Sequence, residues 1–286
     1  MSATVTATGA PEVRAPTRRR ERVKSGYVLP VYSVLMILYL TLPVFVMILY
    51  GFNDIPQERQ TFKFWGFTSY WYTHPFTDDQ LTRSFIHSLV IAGGTTLLAT
   101  PIGALVGLAL GRYRFLGRGA TNFVIFLAIA VPEIVLGSSL LTLYIAWNDL
   151  TPAAPPLGGA TVLLSHISFS IPFVAVTVRA RVSGMDRSLE DAAQDLFASP
   201  IVAFFKVTLP LIMPGIIAGG LLAFVLSLDD FVITNFVSGQ FQTFPIWVWG
   251  ATRIGLPPTV NVIGAYLFLT GVVLAVVSVV IQRRRT

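Results

Sequence analysis

The chain contains no cysteine, which excludes a disulfide framework, thiolate metal sites and a cysteine nucleophile. It is poor in charge: 12% of residues are Asp, Glu, Lys or Arg, against about 25% in soluble domains. Its three histidines, His74, His87 and His166, are too far apart for a metal-ligand spacing, so no metal site is expected. No Gly-x-x-x-x-Gly-Lys-Ser/Thr run occurs, so no loop here would cradle the phosphates of a nucleotide. Nor is there a nucleophile–base constellation of the kind that marks a membrane enzyme. No repeat of 20–50 residues is visible, so any pseudo-symmetry requires a partner chain.

What remains is apolar. Of the 286 residues 54% are hydrophobic, and the mean hydropathy is +0.71. The expected fold class is all-α, a polytopic membrane protein. The net charge of +6 does not call for nucleic acid, because basic residues of membrane proteins gather in cytoplasmic loops.

Six apolar segments of spanning length are expected at about 27–52, 84–110, 120–147, 160–178, 211–237 and 259–281. Residues 26–286 form the transmembrane domain. Residues 1–25 carry Arg18-Arg19-Arg20 and Arg22 and lack the early apolar run of a signal peptide. They read as a disordered basic cytoplasmic tail whose arginines suit anionic lipid. The tail, the second and fourth loops and the C-terminus hold sixteen Lys and Arg, and the remaining loops four. That asymmetry places both termini and the 179–210 loop in the cytoplasm. Small residues such as Gly93-Gly94 and Gly219-Gly220 read as close helix packing.

Three acids interrupt the spans. Pro132-Glu133 breaks the third span, and Glu133 lies about thirteen residues into it, roughly 20 Å of helix at 1.5 Å per residue. An acid at that depth is costly and faces a bundle interior or a wet cavity. It either lines a path that attracts cations or partners a neighbouring helix. Asp229 and Asp230 lie late in the fifth span and, as helical neighbours about 100° apart, point differently. One is expected on a path and the other hydrogen-bonded at an interface between chains. Three acids without Lys or Arg in the spans describe a route for cations, and aromatic faces would add cation–π attraction. Trp71 and Tyr72 are the candidates for that role, with interfacial anchoring as the alternative. His87 and His166 read as helix-packing hydrogen-bonders.

Glu190–Pro210 is polar and helix-favouring between two apolar spans. Ala192, Ala193, Leu196 and Phe197 give it an apolar stripe. Ser199-Pro200 interrupts it, and a second short helix is expected from about Ile201 to Pro210. Two short helices joined by a turn at a membrane surface suit docking.

These residues carry a resemblance. Asp191-Ala192-Ala193, Leu196-Phe197-Ala198, Leu209-Pro210 and Pro214-Gly215 resemble the EAA loop of ABC-importer permeases. Ser69-Tyr70-Trp71-Tyr72, Tyr113-Arg114-Phe115, Pro132-Glu133-Ile134-Val135, Ser165-His166-Ile167 and Leu226-Ser227-Leu228-Asp229-Asp230 are similar to the spermidine/putrescine permeases, most of all the C-type subunit. The resemblance implies a type I importer permease fold with cytoplasmic coupling helices, in a bacterial inner membrane. It implies a second homologous permease, two ATPase subunits that carry ATP and Mg, and an extracytoplasmic polyamine-binding protein. No cofactor would be bound by this chain. It further implies that Trp71, Glu133, Ser227, Asp229 and Asp230 serve transport, and that Glu190 or Asp191 docks the ATPase. Phe197 stands where the family has glycine, so a different turn is expected there, or an apolar knob. Two other readings fit the composition: a permease for another cationic solute, and a secondary cation transporter acting alone. The lack of an internal repeat speaks against the latter.

Overall fold

The computed structural model describes residues 27–55, 63–151, 154–186, 188–253 and 255–283. The expected tail, Arg59, Arg187 and Arg284–Arg285 lie outside the described residues. Within them the chain is helical without a strand, apart from one antiparallel bridge between Asn53 and Phe67. In chain order the helices are α1 (Val28–Tyr50), α2 (Tyr70–Thr73), α3 (Asp79–Arg112), α4 (Arg118–Ala130), α5 (Glu133–Leu150) and α6 (Gly159–Ser183). They continue as α7 (Ser188–Asp195), α8 (Pro200–Ala203), a π-helical stretch Phe204–Thr208, α9 (Leu209–Asp229), α10 (Val232–Val237), α11 (Phe244–Thr252) and α12 (Pro258–Arg283).

Among the described residues four helical stretches are long and apolar enough to cross a membrane: α1, α3, α6 and the run from Pro200 to Asp229. The bent pair α4–α5 makes a fifth. The 26-residue α12 stands where the sixth span is expected. It reaches about 39 Å at 1.5 Å per residue, against roughly 30 Å of hydrocarbon.

The bundle centres on α3, α6 and α9, which pack on one another. Their approach depends on glycine. Gly103, Gly107 and Gly111 recur every fourth residue on one face of α3, opposite Val174, Val178 and Val182 of α6. A Cβ on Gly107 would lie 2.5 Å from the Ala175 carbonyl oxygen, and one on Gly103 2.6 Å from the Val174 Cβ. Small residues let the two backbones meet without a side chain between them. Gly219 and Gly220 of α9 do the same against Val174 and Thr100. Gly93 does not: a Cβ there meets nothing within 4 Å, so its expected packing role is absent within this chain.

Two of the expected spans are broken, each beside an acidic residue. The third is not one helix: α4 and α5 meet at 106°. Val131 precedes a proline and leaves the α region (φ −66°, ψ 129°), as proline sterics require. Pro132 follows in an extended conformation, and helix resumes at Glu133. The fifth does not run to 237. It ends at Asp229, because Asp230 turns extended (ψ 121°) and its carboxylate takes up the amides of Ile233 and Thr234 at the start of α10. Aspartate favours this local capping over helix continuation.

The expected end of the second short helix near Pro210 is also corrected. The Leu209 amide bonds back five residues to Phe204, and α8 passes through this π turn into α9. The turn directly precedes Pro210, whose ring and missing N–H a regular α-turn would not accommodate.

Candidate functional site

Glu133 opens α5 at its corner with α4, and four residues on Gly137 carries that helix against α10. A Cβ on Gly137 would lie 2.6 Å from the Phe236 ring. This close seat packs the start of α5 against α10, the helix that follows the break at Asp229–Asp230. Glu133 and Asp229 are exposed, whereas Asp230 is buried.

Asp230 belongs to a network within the chain. Its Oδ2 lies 3.2 Å from His166 Nε2 and accepts the Thr234 hydroxyl at 2.7 Å and the Thr234 amide at 2.8 Å. The other ring nitrogen of His166 lies 2.7 Å from Ser227 Oγ, which in turn reaches Thr95 Oγ1 at 3.3 Å. His166 is 1% exposed and Ser227 4%, so both stand behind the exposed acids. His166 lies about two turns into α6 and bridges α6, α9 and α10. Its signal in the sequence is faint: Thr161, Ser165, His166 and Ser170 form a polar stripe on one face of α6, and all four are buried.

Beside Asp229 opens a cavity of about 450 Å³ whose walls include Phe231, Phe244, Trp249 and Thr252. Phe231 and Trp249 lie 5.2 Å apart between centroids, and the Arg253 guanidinium sits 5.8 Å from the Trp249 ring. These are the aromatics that accompany the acids.

The aromatics nominated from the sequence lie elsewhere and are already engaged. The Trp71 indole donates to the Asn53 carbonyl at 3.1 Å. Asn53 is 1% exposed and holds the loop between α1 and α2 together through Lys63 and Trp65. The Tyr72 hydroxyl donates to the Ile48 carbonyl at 2.9 Å, and its ring packs on Phe52. Burial, and then the Tyr266 phenol, raise the pKa of Tyr72 above its ordinary value. His87 stacks on Phe241 and pairs with the Gln242 carbonyl at 2.9 Å.

The 179–210 loop presents its apolar stripe outward. Leu196 is 83% exposed and Phe197 98%. Asp191 and Ala192 are exposed beside them. Phe197 adopts the left-handed conformation (φ 62°). The Ala198 amide bonds to Ala193 O and the Phe197 amide to Gln194 O, the paired pattern of a Schellman helix end. The turn is therefore the one glycine would make, and the phenyl ring is added to it. At the other end of α7 the Ser188 amide donates to Asp186 Oδ1 at 2.9 Å. The Ser188 amide and hydroxyl hold the Asp186 carboxylate below its usual range. Glu190 faces inward: it pairs with Arg112 and accepts the Thr208 hydroxyl. Arg181 ties the end of α6 to the Leu211 carbonyl at 3.0 Å, close by.

Among the described residues no group of His, Asp and Glu is placed to hold a metal ion. The arrangement offers two surfaces: exposed acids with an aromatic-walled cavity at the breaks of two spans, and an apolar knob on a polar helix outside the bundle.

Residues 99–286 match the family model described as "binding-protein-dependent transport system inner membrane component". The spermidine/putrescine transport system permease protein PotC of Haemophilus influenzae is 34% identical over 263 residues, covering 92% of this chain and 97% of that protein. PotC of Escherichia coli is 34% identical over 265 residues, covering 92% and 95%. The putrescine permease PotI of Escherichia coli is 36% identical over 231 residues, covering 80% and 81%. Among solved structures, a bacterial ABC transporter involved in import of the acidic polysaccharide alginate superposes with a TM-score of 0.63 at 16% identity, covering 95% of this chain and 100% of that one. The MetNI methionine ABC transporter superposes with a TM-score of 0.55 at 16% identity, covering 71% and 94%. At that identity the two structures speak for the fold alone. The fold, the match over the greater part of the chain and the near full-length relatives agree: this chain belongs to the binding-protein-dependent transport system inner membrane component family, as a permease subunit of an ABC importer.

Proposed function

We propose that this chain is one of two homologous permeases of an ATP-driven importer for linear polyamines, and that Glu133 and Asp229 receive their ammonium groups. The observation that carries the reading is the exposure of Glu133 and Asp229 at the breaks of two spans, with Asp229 lining a cavity walled by Phe231, Phe244 and Trp249. An ammonium is held by a carboxylate and attracted to an aromatic face, while the methylenes between ammoniums are covered by the rings. The Arg253 guanidinium already rests on Trp249, so that face takes a cation. An anionic solute would meet repulsion from both exposed acids. Relatives named for spermidine and putrescine transport support the same substrate class.

In this reading Asp230, Ser227 and His166 hold the break in shape, and the exposed acids do the binding. Trp71 and Tyr72 hold the outer loop. A loaded extracytoplasmic binding protein docks on the outer side. Two ATPase subunits, with ATP and Mg, sit under Asp191, Leu196 and Phe197. Both termini lie in the cytoplasm of a bacterial cell, as the sixteen-to-four asymmetry of basic residues supports. ATP-driven closure of the ATPases moves the spans and alternates access to the acids.

Uptake of radiolabelled putrescine and spermidine by cells producing the whole complex tests this. Competition by unlabelled diamines, with Glu133→Gln and Asp229→Asn each weakening uptake, is the expected result. Uptake that lysine or arginine blocks and diamines do not would assign another cation. Ion-driven uptake by liposomes holding this chain alone would overturn the reading.

A further inference from the structure

We propose that Glu190 is the joint through which the ATPase-facing helix α7 moves the bundle, and not a residue that docks the ATPase. The proposal rests on the importer reading above.

Glu190 is the one residue of α7 that is buried, at 5% exposure, in a helix otherwise turned to solvent. Its two carboxylate oxygens go to different elements. One pairs with Arg112, in the last turn of α3. The other accepts the hydroxyl of Thr208, the last residue of the π stretch that runs into α9. Thr208 is itself 2% exposed. One side chain therefore links the outer helix to two of the three helices that form the packed centre of the bundle. The third is drawn in nearby, where Arg181 of α6 bonds Leu211 of α9.

The load on this link depends on what else holds α7. Leu189 of α7, and Leu196 and Phe197 just beyond its end, are exposed, and among the described residues α7 rests on α8 and the π stretch with only Ala193 half-buried beside Glu190. A push on Leu196 and Phe197 reaches the spans through the backbone or through Glu190. The backbone path toward α9 passes through a left-handed turn at Phe197, the extended Ser199 (ψ 155°) and a π turn, a series of irregular joints. The backbone path toward α6 passes through the segment between Ser183 and Ser188. The buried ion pair is the direct cross-connection, and charged hydrogen bonds with both partners fixed are stronger than neutral ones. It also explains the division between adjacent acids: Asp191 is exposed, next to the knob, and Glu190 faces inward.

The test uses the complete complex, purified in mild detergent and reconstituted with its binding protein, with putrescine as the probe. Glu190→Gln keeps an acceptor for Thr208 and loses the ion pair. The expected result is that the ATPase still co-purifies, while the ratio of binding-protein-stimulated to basal ATP hydrolysis falls on the order of tenfold. Reversing the pair, Glu190→Arg with Arg112→Glu, is expected to restore part of that ratio, which a merely structural role for either charge alone would not do. Thr208→Val, which removes one hydroxyl, is expected to lower the ratio in the same direction, and it carries the test where Glu190→Gln fails to reach the membrane. Loss of the ATPase from the Glu190→Gln complex overturns the proposal in favour of docking. An unchanged ratio in both Glu190→Gln and Thr208→Val overturns it outright. A wild-type complex that answers its binding protein but ignores putrescine removes the polyamine assignment and leaves the joint standing. A wild-type chain that holds no ATPase removes both.

Discussion

His166 Nε2 and Asp230 Oδ2 lie 3.2 Å apart, although 64 residues separate them in the chain. The pair is sealed from solvent, and the residue immediately before Asp230 is not. Two adjacent aspartates therefore have opposite surroundings, and substitution should separate them. Asp229→Asn removes a charge from the exposed group. A lost charge-assisted hydrogen bond is worth about 1.5–3 kcal/mol, so KM for putrescine uptake should rise roughly 10- to 100-fold. The melting temperature of the purified complex should stay where it was. Asp230→Leu removes the carboxylate that caps two amides of α10 and meets His166 and the Thr234 hydroxyl. Leaving buried donors without their acceptor costs about 1–3 kcal/mol, and melting should fall by several degrees. Equal melting of the two variants would refute the division.

Phe197 sits at φ 62°, where a side-chain-bearing residue is disfavoured by about 1–2 kcal/mol. Phe197→Gly should relieve that and keep the Schellman turn, so the isolated chain should be as stable or slightly more so. The ring removed is 98% exposed and has no role in the fold. If it fills an apolar groove on the ATPase, Phe197→Gly should weaken co-purification of that subunit while Phe197→Leu largely preserves it. A glycine variant that retains the ATPase under stringent washing would deny the ring any part in docking.

Gly107 and Gly93 share one helix and should respond very differently. A methyl on Gly107 would collide with the Ala175 carbonyl oxygen and the Val178 Cβ, backbone and core atoms that cannot swing aside. Overpacking of this kind costs about 1–3 kcal/mol for a small increment and more for a branched side chain. Gly107→Val should abolish accumulation in the membrane, and Gly107→Ala should lower it. Gly93 faces open space, so Gly93→Ala should accumulate normally and gain slightly from helix propensity. Immunoblots of membrane fractions decide the matter.

How far the sequence is legible depends on the range of the forces involved. Spans are set by runs of apolar residues, a local property, and those expected at 27–52 and 160–178 lie within a few residues of α1 and α6. Proline at 132 announced a break, but not its 106° angle, which depends on how α5 seats on α10 through Gly137 and Phe236. The break after Asp229 was hidden, because Asp230 leaves the helix only when its carboxylate has α10 to cap and His166 to meet. The same non-local geometry chose the aromatics. Trp71 and Trp249 read alike in the sequence, and only the fold engages one with Asn53 and sets the other beside Asp229. For Glu190 and Asp191, adjacency in a helix did not show that one turns inward to Arg112 and Thr208 and the other outward.

That difference between the two tryptophans is open to measurement. Trp249 forms a wall of the cavity that contains Asp229, with its ring beside Phe231. A cation–π contact contributes about 0.5–2 kcal/mol, so Trp249→Ala should raise KM for putrescine roughly 2- to 30-fold. Trp249→Phe, which keeps an aromatic face, should recover most of that. The variant should also leave Arg253 without its ring, and a double variant with Arg253→Ala separates that effect from loss of the substrate contact. Trp71→Phe removes the bond to the Asn53 carbonyl and nothing from the cavity. It should lower the melting temperature of the complex through a looser outer loop while KM stays within about twofold, since one neutral hydrogen bond is worth about 1 kcal/mol. If instead Trp71→Phe shifts KM and Trp249→Ala does not, substrate passes along the outer loop and the cavity beside Asp229 is not on its route.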